Sequence, residues 1–270
     1  MVAAQVAMVG DMVFKGAGAD LAVLQSIFHV PAIVAGSWVV GGGWWAVSCV
    51  VAPEFVKIVG GEPLLHPEIE RLLIIAKSLA AGPRIQLTTN AFLIDRLTAR
   101  GWDCLDMIAV SLYPEPALPK ERIRFIARQA AARNIEVSWK VQDKFTCLDR
   151  TGLADYEDAK RVFQDCWIRH RCNSIKQGRF YCCTRPQYVQ KFASDPLLFR
   201  EDGIPVDDPD VEALAARIKE HLERTEPLHS CFLCNGGNAP LETQRQLTPA
   251  GVRMKRDVLT ILTGRIPIAT

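Results

Sequence analysis

The stretch Phe55-Val56-Lys57-Ile58-Val59-Gly60-Gly61-Glu62-Pro63-Leu64-Leu65-His66-Pro67 constrains this chain more than any other. A β-branched run driven into two glycines, an acid and a proline reads as a buried strand ending in a tight, ligand-facing turn. Gly60 and Gly61 let a backbone approach a ligand closely, because no Cβ stands in the way. Glu62 adds one fixed negative charge, and Pro63 stiffens the exit. A bare Gly-Gly also occurs in ordinary strand-to-helix turns, so the information lies in the whole string.

From Pro53 onward strands alternate with helices. Expected strands are Phe55–Val59, Arg84–Thr89, Met107–Leu112 and Ile135–Lys140. Between them, His66–Ala80 reads as a helix, with Ile69, Leu72, Leu73 and Ala76 on one face. Leu93–Arg100 reads as a short helix stopped by Gly101, and Lys120–Arg133 as a longer one. Four strands separated by helices imply an α/β fold with a parallel sheet, whose ligands sit at the carboxyl ends of the strands. Residues with chemistry collect there: Glu62 after the first strand, Thr88, Thr89 and Asn90 after the second, Ser111 and Tyr113 after the third, and Lys140 after the fourth. Each also has an ordinary reading, since Thr and Asn form turns and Tyr113 precedes a proline.

After Cys147 the alternation stops and cysteines take over. The chain has 9 of them in 270 residues. An odd count in a chain this long speaks against a disulfide framework and for metal ligation in a reducing cytoplasm. Cys166, Cys172, Cys182, Cys183, Cys231 and Cys234 crowd the later part. Ile175–Tyr181 reads as a hairpin with Gly178 in its turn, leading into Cys182-Cys183, and Cys231-Phe232-Leu233-Cys234 forms a CxxC loop. Thiolates from a hairpin and a CxxC loop can surround one centre, either zinc or an iron–sulfur cluster. The alternative is a set of buried, inert thiols. His170 and His229 stand beside cysteines, which suggests surface or supporting roles. His221 is expected on a solvated face of the helix Val211–Arg224, and Pro249–Leu262 as a packing helix. The net charge of +2 and the lack of Lys/Arg runs argue against nucleic acid.

Residues 1–52 have another character. Only Asp11, Lys15 and Asp20 are charged, and none of Leu21–Pro53 is. Three readings compete: a membrane-spanning or surface-associated helix within Val30–Ala52, an odd but folded N-terminus, and a segment foreign to the native fold. A signal peptide fits less well, because no positive region precedes the apolar stretch. Membrane contact through residues 21–52 therefore stays open beside a cytoplasmic location.

The string Gly60-Gly61-Glu62-Pro63, with its Leu64-Leu65-His66-Pro67 tail, resembles the Gly-Gly-Glu-Pro motif of radical S-adenosylmethionine (SAM) enzymes. The resemblance extends from about Phe55 to Lys140. It implies a partial (β/α) barrel over 53–150, oxidoreductase-type radical chemistry on a small molecule or peptide, and an external electron donor. It implies that Gly60, Gly61, Glu62, Pro63, Thr88, Asn90 and Ser111 contact SAM. The cysteine-rich stretch 151–270 resembles the SPASM or twitch region that holds an auxiliary 4Fe–4S cluster in many members. On that resemblance the ligands are Cys172, Cys183, Cys231 and Cys234, with Cys166 and Cys182 as further candidates. The family also holds a SAM-binding 4Fe–4S cluster on a CxxxCxxC loop before the Gly-Gly-Glu-Pro turn. No CxxxCxxC occurs in this sequence, and Cys49 is the one cysteine before Gly60. The expectation is a member that keeps much of the SAM rim and the auxiliary centre but lacks the ligands for reductive SAM cleavage.

Overall fold

The computed structural model describes residues 11–16, 23–27, 53–59, 62–79, 82–176, 178–190, 196–208, 210–243 and 257–265. Its strands are β1 (Asp11–Gly16), β2 (Val23–Ile27), β3 (Pro53–Val59), β4 (Arg84–Thr89), β5 (Met107–Leu112), β6 (Glu136–Val141), β7 (Lys144–Thr146), β8 (Ser174–Lys176), β9 (Arg179–Tyr181), β10 (Ile204–Pro205) and β11 (Leu241–Thr243). Its helices are α1 (Ile69–Lys77), α2 (Ala99–Asp103), α3 (Lys120–Arg133), α4 (Tyr156–Asp165), α5 (Trp167–Arg171), α6 (Arg185–Val189), α7 (Pro196–Arg200) and α8 (Val211–Glu223). Residues 257–263 are also helical.

The expected parallel sheet is present: β3, β4, β5 and β6 pair in chain order, all parallel. Its two faces differ because side chains alternate along a strand. Val56, Ile58, Ile85, Leu87, Ile108 and Val110 point one way and pack with Leu72, Leu73, Trp102, Ile126 and Ala130 of the helices. That apolar layer gives α1 and α3 their amphipathic pattern and fixes the strand register. The other face carries Lys57, Gln86, Thr88, Ser111, Ser138 and Lys140. The sheet with one layer of helices is a partial α/β barrel.

Asp106 locks the start of this layer. It accepts from Lys77 Nζ at 2.7 Å and from the Ile85 backbone N–H at 2.7 Å, tying the end of α1 to the first turns of β4. Asn134 ends α3 in the left-handed conformation, with φ of 56°.

Three local expectations are corrected. The helix predicted over Leu93–Arg100 is a 3-10 turn at Ile94–Arg96 followed by α2. Gly101 does not stop that helix but sits inside it. A Cβ there would lie 2.9 Å from Glu70 Oε1 and 3.0 Å from Leu97, so glycine allows α2 to close on α1. His221 is not on a solvated face: it is 7% exposed on α8 and packs edge-on to Phe180.

The sheet extends beyond the parallel strands in the order β10-β9-β8-β2-β1-β3-β4-β5-β6. β1 and β2 lie within residues 1–52, and β1 pairs antiparallel with β3. The span Val30–Ala52, read as a membrane helix, lies outside the described residues. Among those that are described, no helix is long and apolar enough to cross a membrane.

The hairpin β8–β9 forms with Gly178 at φ of +70°. A second apolar cluster joins Phe163, Val189, Phe199, Leu228, Phe232 and Leu233 to Cys182 and Cys231. β11 pairs with β7, and Cys234 bridges to Asp149, so the late CxxC loop is tied back to the chain just after the parallel sheet.

Candidate functional site

Two groups of chemically capable side chains stand out: a rim at the carboxyl ends of the parallel strands, and a nest of thiols in the second cluster. Gly60 and Gly61 lie outside the described residues. Glu62 follows them, 6% exposed, and caps the 3-10 turn Pro63–Leu65 by accepting from the Leu64 N–H at 3.0 Å. The same carboxylate accepts from the Thr89 hydroxyl at 2.6 Å and from the Asn90 N–H at 2.8 Å. It therefore clasps the turn after β3 to the end of β4. Burial pushes the Glu62 carboxyl up, and these three donors oppose that shift by favouring the anion.

The alternation of β4 decides which threonine does this. Thr89 points to the turn, while Thr88 lies on the opposite, inner face and accepts from Gln86 Nε2 at 3.4 Å. Asn90 contributes its backbone to Glu62, and its side-chain oxygen accepts from the Phe92 N–H. Ser111, 8% exposed, lies on the inner face one residue before the end of β5. Burial raises the Tyr113 phenol, a contact with Ser111 opposes the shift, and the Glu62 charge adds to it. Glu62, Thr89, Asn90, Ser111 and Tyr113 thus converge on one rim. Pro63 is buried beneath it. Thr89 stood among the expected rim residues but not among the expected SAM contacts, where Thr88 was named, although strict alternation from the buried Ile85 and Leu87 was available in the sequence.

In the second group, burial pushes the Cys182, Cys183, Cys231 and Cys234 thiols up. Cys182 rises to about 12, and Cys183 and Cys231 stand well above the ordinary value. The thiols feel one another: Cys183 is raised further by Cys234, Cys182 and Cys166, and Cys234 by Cys166. Three sulfurs already accept backbone N–H groups, Cys166 from Gly237 at 3.2 Å, Cys234 from Gly236 at 3.3 Å and Cys183 from Arg185 at 3.4 Å. Two guanidinium groups flank them. Arg169 acts on Cys182, Cys166 and Cys231, and Arg185, which pairs with Asp149, acts on Cys234. Cys172 acts on Lys57 on the inner face of the parallel sheet. Of the expected ligands, Cys183, Cys231 and Cys234 come together with Cys166 and Cys182.

These residues suit a metal centre chemically. Buried neutral thiols flanked by arginines and backbone donors become stable thiolates once a cation replaces their protons. Among the described residues, however, no group of three or more His, Cys, Asp or Glu side chains is placed so that it could hold a metal ion.

The CxxC loop has its own anchor. Asp202, 1% exposed, accepts from the His229 N–H at 2.7 Å, the Ser230 N–H at 2.9 Å and His229 Nδ1 at 2.9 Å. It caps the short 3-10 turn His229–Leu233 that carries Cys231. His170 is exposed.

No family model matches the chain. It is 46% identical over 41 residues to the GTP 3′,8-cyclase of Microcystis aeruginosa, a match spanning 15% of this chain and 12% of that protein. It is 39% identical over 75 residues to the GTP 3′,8-cyclase of Chlorobaculum tepidum, spanning 27% of this chain and 22% of that protein. The chain therefore matches less than a quarter of the length of either curated relative. A solved structure, BtrN in complex with AdoMet and 2-DOIA, superposes with a TM-score of 0.40 at 13% identity, over 75% of this chain and 80% of that one. With GTP 3′,8-cyclases among the radical SAM enzymes, the sequence matches and the Gly60–Pro63 string make this chain a relative of the radical SAM superfamily.

Proposed function

We propose that this protein binds SAM on the rim formed by Glu62, Asn90 and Ser111, and holds a thiolate-ligated iron–sulfur centre at Cys166, Cys183, Cys231 and Cys234. The observation carrying the reading is the convergence of Glu62, Thr89, Asn90, Ser111 and Tyr113 at the carboxyl ends of the parallel strands. That is where such sheets place ligands. The Glu62 carboxylate is built into the turn and positions its backbone, so the SAM contacts on this side come from the turn itself. The thiol group would hold the auxiliary centre, with Cys166 in the place that Cys172 held in the expected set. When bound, such a cluster supplies electron transfer or substrate anchoring. Arg169 and Arg185 balance the negative charge of the thiolates, and the N–H donors of Gly236, Gly237 and Arg185 hold the sulfurs in place. The sequence has no CxxxCxxC loop, so the proposed activity of this polypeptide on its own is SAM and cluster binding without reductive SAM cleavage. Its substrate, by the same family reading, is a small molecule or peptide.

Anaerobic reconstitution with iron and sulfide, followed by iron analysis and SAM equilibrium dialysis, tests this. The expected result is about four irons per chain, one bound SAM and no 5′-deoxyadenosine after dithionite. Cys166→Ser should lose the metal, and Cys172→Ser should keep it. About eight irons with 5′-deoxyadenosine formation would overturn the reading. Buried thiols with N–H donors also suit zinc, and one zinc per chain without sulfide absorbance would identify that form.

A further inference from the structure

Among the described residues the large sheet ends at β6, which therefore has an open edge. The Glu136 N–H donates to the Asp106 carbonyl and the Gln142 N–H to the Leu112 carbonyl, both on the β5 side. Backbone groups alternate sides along a strand, so those of Val137, Trp139 and Val141 face away from β5. The side chains of the same three residues lie on the helix face, level with Ile108, Val110 and Leu112. Ile108 and Val110 are fully buried, whereas Trp139 is 39% and Val141 71% exposed. The apolar layer thus runs past the last strand into the open. An apolar edge with unpaired backbone groups is a ready template for another strand.

The order of residues on this edge selects the occupant. Glu136-Val137-Ser138-Trp139-Lys140 is complementary to itself when read in the opposite direction about Ser138. In an antiparallel pair of two copies centred there, Glu136 stands opposite Lys140, Val137 opposite Trp139, and Ser138 opposite itself. Val137 and Trp139 carry the outward backbone groups, so they form the hydrogen-bonded pairs and the residues between them the closer, non-hydrogen-bonded ones. Glu136, Ser138 and Lys140 share the inner face, level with Met107, Ala109 and Ser111. Opposite charges therefore meet on one face and apolar side chains on the other. Lys140 makes no ion pair among the described residues, and the Glu136 pair with Arg84 is exposed, which leaves its carboxylate open to a second cation. Moving the centre to Trp139 would set Glu136 opposite Gln142 and Lys140 opposite Ser138, losing the charge match. A two-fold axis through Ser138 stands perpendicular to the sheet, so inner face continues into inner face and α3 of both copies lies on the outer side.

We propose that β6 is a homodimer seam: a second copy of this chain adds its β6 antiparallel to this one, with Ser138 opposite Ser138, and continues the sheet across the two-fold. The inference goes beyond the SAM and cluster reading and does not rest on either. One short strand with its flanks is a small contact, so association is weak and concentration-dependent.

The test uses the full chain. Sedimentation velocity at rising concentration should show reversible dimers. Glu136→Lys and Lys140→Glu should each weaken dimerisation about tenfold or more, because like charges then stand opposite one another. An equimolar mixture of the two variants should restore it, since the charges match again across the seam. Ser138→Cys under mild oxidation should give a disulfide-linked dimer, its two Cα atoms lying about 4.5 Å apart. Lys140→Cys should not, because its two copies lie roughly 14 Å apart along the strands. Parent protein oxidised alongside accounts for the native thiols. A chain that stays monomeric at every concentration and gives no Ser138→Cys cross-link overturns the seam. So does a dimer unaffected by either charge reversal, or a mixture of the two variants that stays as weak as each alone. Cross-linking through Lys140→Cys as strong as through Ser138→Cys overturns the register and the proposal with it.

Discussion

At the scale of single residues, Glu62 shows how a motif residue can serve the fold as much as a ligand. Its carboxylate accepts from Leu64, Thr89 and Asn90 while 6% exposed. Glu62→Gln keeps the shape but gives one oxygen's worth of accepting capacity away and turns donors toward donors. A loss of about 2 kcal/mol is expected in urea unfolding, from charged hydrogen bonds broken in a buried place. Thr89→Val should cost less, since its hydroxyl supplies one of the three contacts, and Thr88→Val should cost almost nothing by the same measurement. The distinction between the two threonines was present in the sequence as alternation with Ile85 and Leu87. The partner of Thr89 was not, because Glu62 lies 27 residues away and nothing local records that meeting.

At the scale of elements, α8 and the 3-10 turn His229–Leu233 carry the consequences. His221 sits buried on α8, and burial lowers it to about 4 from the ordinary 6.5, with Arg224 adding to the shift. Its folded value is below its unfolded value, so between about pH 4 and 6.5 the unfolded chain binds the extra proton. Stability therefore falls as pH drops through that window, by at most about 3 kcal/mol over its width. Denaturant midpoints measured from pH 7 to pH 4 should show this slope in the parent, and His221→Leu should flatten it. For the 3-10 turn, Asp202→Asn removes the charged acceptor for the N–H groups of His229 and Ser230. It should destabilise the protein by about 2 kcal/mol and lower the metal retained after gel filtration, since Cys231 rides on that turn. Element existence was readable: α3 and β5 follow the pattern of apolar residues to the end. Gly101 was not, because a glycine that ends a helix and one that lets two helices touch look identical until Glu70 and Leu97 are placed beside it.

At the scale of the whole molecule, the second apolar cluster closes around thiols whose ionisation burial opposes. Chelation of the reconstituted protein should lower its melting temperature and loosen the β7–β11 pairing, read by calorimetry and amide exchange at Thr146 and Thr243. Metal that binds the native state alone stabilises it by mass action, so the shift should grow with free metal. What the sequence by itself determined was the α/β order, the four parallel strands, the polar residues at their carboxyl ends, the hairpin at Gly178 and the abundance of thiols. Each rests on periodicity or turn chemistry within a dozen residues, which the chain records directly. The tertiary structure alone decided that β1 and β2 extend the sheet, that the partner of Thr89 is Glu62, and that Cys166 lies by Gly237 and the CxxC loop. Those facts depend on register and curvature between segments far apart in the chain. A one-residue shift in strand pairing would turn the side chains of a strand to the other face without altering any local pattern.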